Sequence, residues 1–134
     1  MPILLVPELE KRGRKKEADD LFRRVFTLLE NQCREYPKSA LSHNVLAWLA
    51  ATCRRQLDKG LEHSQKAVEL APKNAGYLDT LAEVHFQRGD RAKAIQLMKK
   101  CIELDAKNRY FRDQLARFEA GDPKSPVPEA AENE

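Results

Sequence analysis

The segment KAVELAPKN at positions 66–74 returns as KCIELDAKN at 100–108, an offset of 34 residues that keeps Lys, Glu, Leu, Lys and Asn in register. Upstream, PKSALSHNVLAWL at 37–49 lies over PKNAGYLDTLAEV at 72–84 with an offset of 35, and Arg12, Gly13 and Ala18 recur as Arg88, Gly89 and Ala94. Three copies of one unit therefore account for most of the chain. A period of this length implies stacked supersecondary units, each burying its apolar face only against its neighbours.

Each copy reads as two amphipathic helices. In copy three Ala94, Ile95, Met98, Cys101 and Ile102 make one apolar stripe at helical spacing. Copy two has Gly60, Leu61, Ser64, Ala67 and Val68 there, smaller residues that let a neighbouring helix come close, so copy two is expected to pack tightest. Gly89 can end a helix in the left-handed conformation and Asp90 can cap the next one, which makes this Gly-Asp a hinge. A catalytic loop would need a base, nucleophile or metal ligands there, and Arg88, Arg91 and Lys93 supply only positive charge. With 34% charged residues, 7% aromatics and no long apolar run, the chain is all-α and has nothing that spans a bilayer.

Leu46-Ala47, Leu81-Ala82 and Leu115-Ala116 recur midway along the first helices, and Ala18, Gly60 and Ala94 stand early in the second. Phe22, Ser64 and Met98 follow four residues on, and Pro37 and Pro72 close their units. This pattern resembles the tetratricopeptide repeat family, and the resemblance implies a right-handed superhelical α-solenoid of helix-turn-helix repeats. Ala106 departs from it by replacing the terminal proline, and His85 by standing where the family prefers tyrosine. The second helix of copy one carries about two extra turns before Pro37. Its apolar residues Leu21, Phe22, Val25, Phe26, Leu29, Cys33 and Tyr36 stay in helical phase.

The resulting organisation is a single domain over residues 1–121: repeat 1 at 1–38, with a truncated first helix and an extended second one, repeat 2 at 39–73, repeat 3 at 74–107 and a capping helix at 108–121. Residues 122–134, rich in Pro and Glu, are expected to be a disordered tail. At the other end Pro7 is expected to interrupt any regular helix. The apolar Ile3, Leu4 and Leu5 make the chain read as the C-terminal piece of a longer array.

The family resemblance implies a concave groove lined by first helices that holds a peptide or protein segment. By register Asn44, Trp48, Asp79, Glu83, Phe86, Asp113 and Arg117 look into it, Trp48 and Phe86 serving either as aromatic anchors or as packing. One subclass of the family captures acidic chaperone C-termini with Lys, Asn and Arg. Asn44 fits, but Asp79, Glu83 and Asp113 would repel a carboxylate, so a basic or neutral partner is expected.

A second function class is self-association through the apolar N-terminal end, giving a homo-oligomer. A third is anionic-surface or nucleic-acid binding through the basic run KRGRKK at 11–16, disfavoured because no aromatic is interleaved to stack a base and the net charge is only +3.

Catalysis is not expected. His43, His63 and His85 form no HxxxH or HExxH, and register predicts His63 on an outer face and His85 inside, away from a common point. No cofactor or metal is implied. Cys33, Cys53 and Cys101 lack zinc spacing and read as buried free thiols of a reducing, cytoplasmic compartment.

Overall fold

The computed structural model describes residues 2–129. Among the described residues seven helices follow one another: α1 (Pro2–Lys11), α2 (Lys15–Glu35), α3 (Ala40–Cys53), α4 (Leu57–Leu70), α5 (Ala75–Gln87), α6 (Arg91–Leu104) and α7 (Arg109–Ala120). None of these is long and apolar enough to cross a membrane. The helix starts are written in the chain. The side chains of Ser39, Asn74, Asp90 and Asn108 each accept from the backbone N–H three residues on, satisfying one of the donors a helix leaves unpaired. Gly89 takes φ 91° between α5 and α6, so the Gly-Asp pair there is a helix stop followed by a cap.

Helix α2 spans 21 residues against 14 for α4 and α6, so the two extra turns are real. Helix α1 runs through Pro7, contrary to the interruption expected there. Pro7 stands in the middle of a ten-residue helix and removes one hydrogen bond, while the adjacent Val6 is completely buried in the core shared with α2 and α3. Packing thus holds the segment helical. The apolar edge expected at Ile3 and Leu4 lies outside the described side chains, whereas Leu5 is about half exposed.

Two apolar cores run through the stack. Val6, Ala18, Phe22, Phe26, Cys33, Leu46, Leu49 and Cys53 form the first, and Leu78, Leu81, Phe86, Ala94, Met98, Cys101, Phe111 and Phe118 anchor the second. Burying each larger side chain contributes roughly 1.5–3 kcal/mol. Between them Ala47, Ala51 and Val84 meet across α3 and α5. A Cβ built on Gly60 would stand 3.0 Å from Ala50 Cβ, so the close approach expected in copy two is present.

The backbones of α1, α3 and α5 lie against one another in succession, and α7 joins through the rings of Phe86 and Phe118, 4.6 Å apart. Second helices stand further out, α2 and α4 being bridged by long side chains such as Lys59 to Glu30 at 2.9 Å. An array whose first-helix layer is the tighter one curves with that layer inside. The protein is an all-α helical-repeat solenoid.

Of the stretch expected to be a disordered tail, residues 122–125 form a turn, while 130–134 lie outside the described residues. Asp122 accepts from Lys124 N–H, and Ser125 N–H donates back to the Asp122 carbonyl, making a turn directed onto the inner face. The reason is polar rather than apolar: the first helices present donors that main-chain carbonyls satisfy.

Candidate partner-binding face

Near the C-terminal end of α7, Arg117 reaches α5 and donates to both carboxylate oxygens of Glu83 at 2.5 and 3.2 Å. Gln114 Nε2 donates to Asp79 at 3.0 Å and to Glu83 at 3.2 Å, and Gln87 Nε2 donates to the other Glu83 oxygen at 2.9 Å. The Arg117 guanidinium lies 5.1 Å above the centre of the Phe86 ring. Burial pushes the Asp79 carboxyl up to about 7, against a hydrogen bond from Gln114 that favours its charged form. Tyr110 shares a hydrogen bond with Asp79, and burial, then the Asp79 charge, raises its hydroxyl above its ordinary value.

This arrangement corrects the sequence-based placement of four residues. Asp79, Glu83, Phe86 and Arg117 are buried rather than displayed on an open groove wall. Helix α7 folds its Gln114 and Arg117 over α5, so the Arg117 guanidinium pairs with Glu83 and the Gln114 amide donates to Asp79, and neither acid faces solvent. Asn44, Trp48 and Asp113 are half-buried and keep access, Asp113 lying 3.7 Å from Arg109. The Asn44 Oδ1 atom is buried without a hydrogen-bond partner.

Residues that sequence reasoning passed over complete the face. Arg54 Nη2 and Gln87 Nε2 both donate to the Pro123 carbonyl, at 3.0 and 2.9 Å, and Arg54 Nε donates to Gln87 Oε1. Arg117 Nε donates to the Ser125 carbonyl at 3.1 Å. Arg54 holds φ 54°, a left-handed conformation costly for a side-chain-bearing residue. An offset of 35 places it under Gly89, and that mismatch in the repeat is the available signal.

A second correction concerns the histidines. His43 and His63 stack with ring centres 5.1 Å apart, their Nδ1 atoms 2.8 Å apart, and Cys33 joins them within 4.8 Å. His63 therefore turns its ring toward Cys33 and His43 on α2 and α3 while staying half-buried. The basic run at 11–16 is exposed and spans the end of α1, a short turn and the start of α2, with Arg12 paired to Glu8 and Arg14 to Glu17.

Residues 75–108, which carry α5 and α6, match the tetratricopeptide repeat family. An 88-residue stretch is 31% identical to the mitochondrial import receptor subunit TOM70 of Rattus norvegicus, and equally to that of Mus musculus, covering 66% of this chain. The chain spans only 13% of the length of these relatives. In fold, it is similar to the Sgt2 TPR domain from Aspergillus fumigatus, with a TM-score of 0.66 at 18% identity over 96% of this chain and 91% of that one. With one unit matched in sequence and the helical stack matched in fold, residues 75–108 of the chain carry a tetratricopeptide repeat within a helical-repeat solenoid.

Proposed function

We propose that the inner face of α3, α5 and α7 holds a short segment of a protein partner by its main-chain carbonyls. The observation that carries this reading is the chain's own turn at 122–125, whose Pro123 and Ser125 carbonyls sit on Arg54, Gln87 and Arg117. Groups that satisfy carbonyls read backbone rather than side-chain charge, and the half-buried Trp48 adds an aromatic surface nearby on α3. The family is one of protein-interaction modules, and an import receptor subunit among the relatives is consistent with holding another polypeptide.

Asp79 and Glu83 face inward with partners, so a preference for a basic or neutral partner rests on Asp113 alone. In this reading the C-terminal strap competes with the partner. The test compares the full chain with one ending at Gly121, each titrated with synthetic peptides: residues 121–129 of this chain, a basic variant and an acidic C-terminal tail. Saturable binding to the shortened chain, weakened in the full chain and by Arg54→Ala, is expected. Equal binding by both chains, or none by either, would sink it.

A further inference from the structure

We propose that Cys33, His43 and His63 form a transition-metal site of the zinc class, joining α2, α3 and α4. The three side chains come from three helices, and their ligand atoms all lie within 4.8 Å of one another. Tetrahedral zinc with two imidazoles and a thiolate separates its nitrogens by about 3.3 Å and nitrogen from sulfur by about 3.6 Å. The rings, with nitrogens 2.8 Å apart, need only a small opening to admit the ion.

Repeat arithmetic shows how unusual this cluster is for its place in the stack. His43 stands over Leu78 at an offset of 35, and His63 over Leu97 at an offset of 34; both leucines are core residues of the next unit. The chain has thus exchanged an apolar pair for two imidazoles facing each other. Cys33 comes from the extra turns of α2, which α4 and α6 lack.

The hydrogen bonding also prepares the ligands. His43 Nε2 lies 2.8 Å from the Pro37 carbonyl, which can only accept, so the proton is on Nε2 and Nδ1 presents a lone pair. His63 Nδ1–H then donates to it. A backbone carbonyl holding the remote nitrogen of a ligand imidazole is the outer-shell arrangement that fixes its tautomer and orientation.

On binding, the Cys33 S–H bond breaks as the sulfur–metal bond forms, and that proton leaves to solvent. His63 moves its proton from Nδ1 to Nε2 through solvent, with no net change. The cleft is lined by the three ligands with Glu30, Arg34 and Pro37. Glu30 is held by Lys59 at 2.9 Å, so a water or an outside ligand takes the fourth position.

The experiment uses the full chain, reduced and stripped with chelator, titrated with cobalt(II) and then zinc(II). One equivalent of cobalt is expected to give thiolate charge-transfer absorption in the near ultraviolet and visible bands of a tetrahedral ion, both erased by zinc. Zinc is expected to raise the thermal midpoint and chelator to reverse it. Cys33→Ser should remove the charge-transfer band, and Cys53→Ala should keep it. His63→Gln, at a partly exposed position that keeps the fold testable if Cys33→Ser unfolds, should weaken binding about tenfold or more. No saturable band, or bands unchanged in both Cys33→Ser and His63→Gln, would overturn the site.

Discussion

Arg117 on α7 grips both carboxylate oxygens of Glu83 on α5, and both side chains are almost wholly removed from solvent. Glu83 and Arg117 thereby tie the closing helix to repeat 3 by a charged, two-point contact inside an aromatic shell of Phe86 and Phe118. Glu83 and Arg117 are 34 residues apart, one repeat, so they hold equivalent places on neighbouring first helices.

Breaking one partner of this pair leaves the other charge buried and alone. Arg117→Met is expected to cost about 3–5 kcal/mol of folding stability, read as a fall in the urea midpoint. The double variant Arg117→Met with Glu83→Leu should recover most of that loss, because no orphaned charge remains. A single variant as stable as the parent would show that the pair contributes nothing.

How far the sequence reveals this molecule follows from what periodicity encodes. The cap at Asp90, the stripe from Ala94 to Ile102 and the extended α2 are local patterns, and each is found where the repeat puts it. Burial across helices is not local. Asp79 and Glu83 look groove-facing from helical phase, and only the fold of α7 shows that Gln114 and Arg117 cover them. His43 and His63 are 20 residues apart with no motif spacing, yet a Leu-to-His comparison between repeats marks both. Pro7 misleads because its cost is local and the burial of Val6 that offsets it is not.

The buried Asp79 gives stability an unusual pH slope. Its folded pKa, about 7, lies above its unfolded value, so between roughly pH 4 and 7 the folded state binds more protons and stability is lost as pH rises. Other carboxylates contribute their own slopes, so the comparison is with Asp79→Asn, which keeps the shape without the charge. The variant should come close to the parent near pH 4 and exceed it at pH 8 by a few kcal/mol, because each tenfold gain in proton affinity on folding is worth about 1.4 kcal/mol. Parallel urea midpoints across that range would show that the Asp79 carboxyl is not raised.

Gly60 sits where α4 meets α3, and the nearest atom to an added Cβ is Ala50 Cβ at 3.0 Å, fixed to a helix that moves only as a whole. Gly60→Ala should be near neutral, because about 1 kcal/mol of helix propensity offsets the squeeze. Gly60→Leu has no such room and should lose about 1–3 kcal/mol by thermal or urea unfolding. Adding Ala50→Gly should restore part of that loss. A Gly60→Leu variant as stable as the parent would mean the helices part without cost.

Arg54 occupies the place that Gly89 holds in the next repeat, and it does so at φ 54°. A side chain in that conformation costs about 1–2 kcal/mol relative to glycine, so its retention points to its contacts with Gln87 and the Pro123 carbonyl. Arg54→Gly and Arg54→Ala both remove those contacts, but only the glycine also relieves the backbone. The glycine variant should therefore be the more stable of the two by about 1 kcal/mol. Both should free the strap equally, seen as faster tryptic cleavage after the exposed Lys124. Cleavage at the parental rate in both would mean that Arg54 does not hold the strap, and its left-handed backbone would then need another cause.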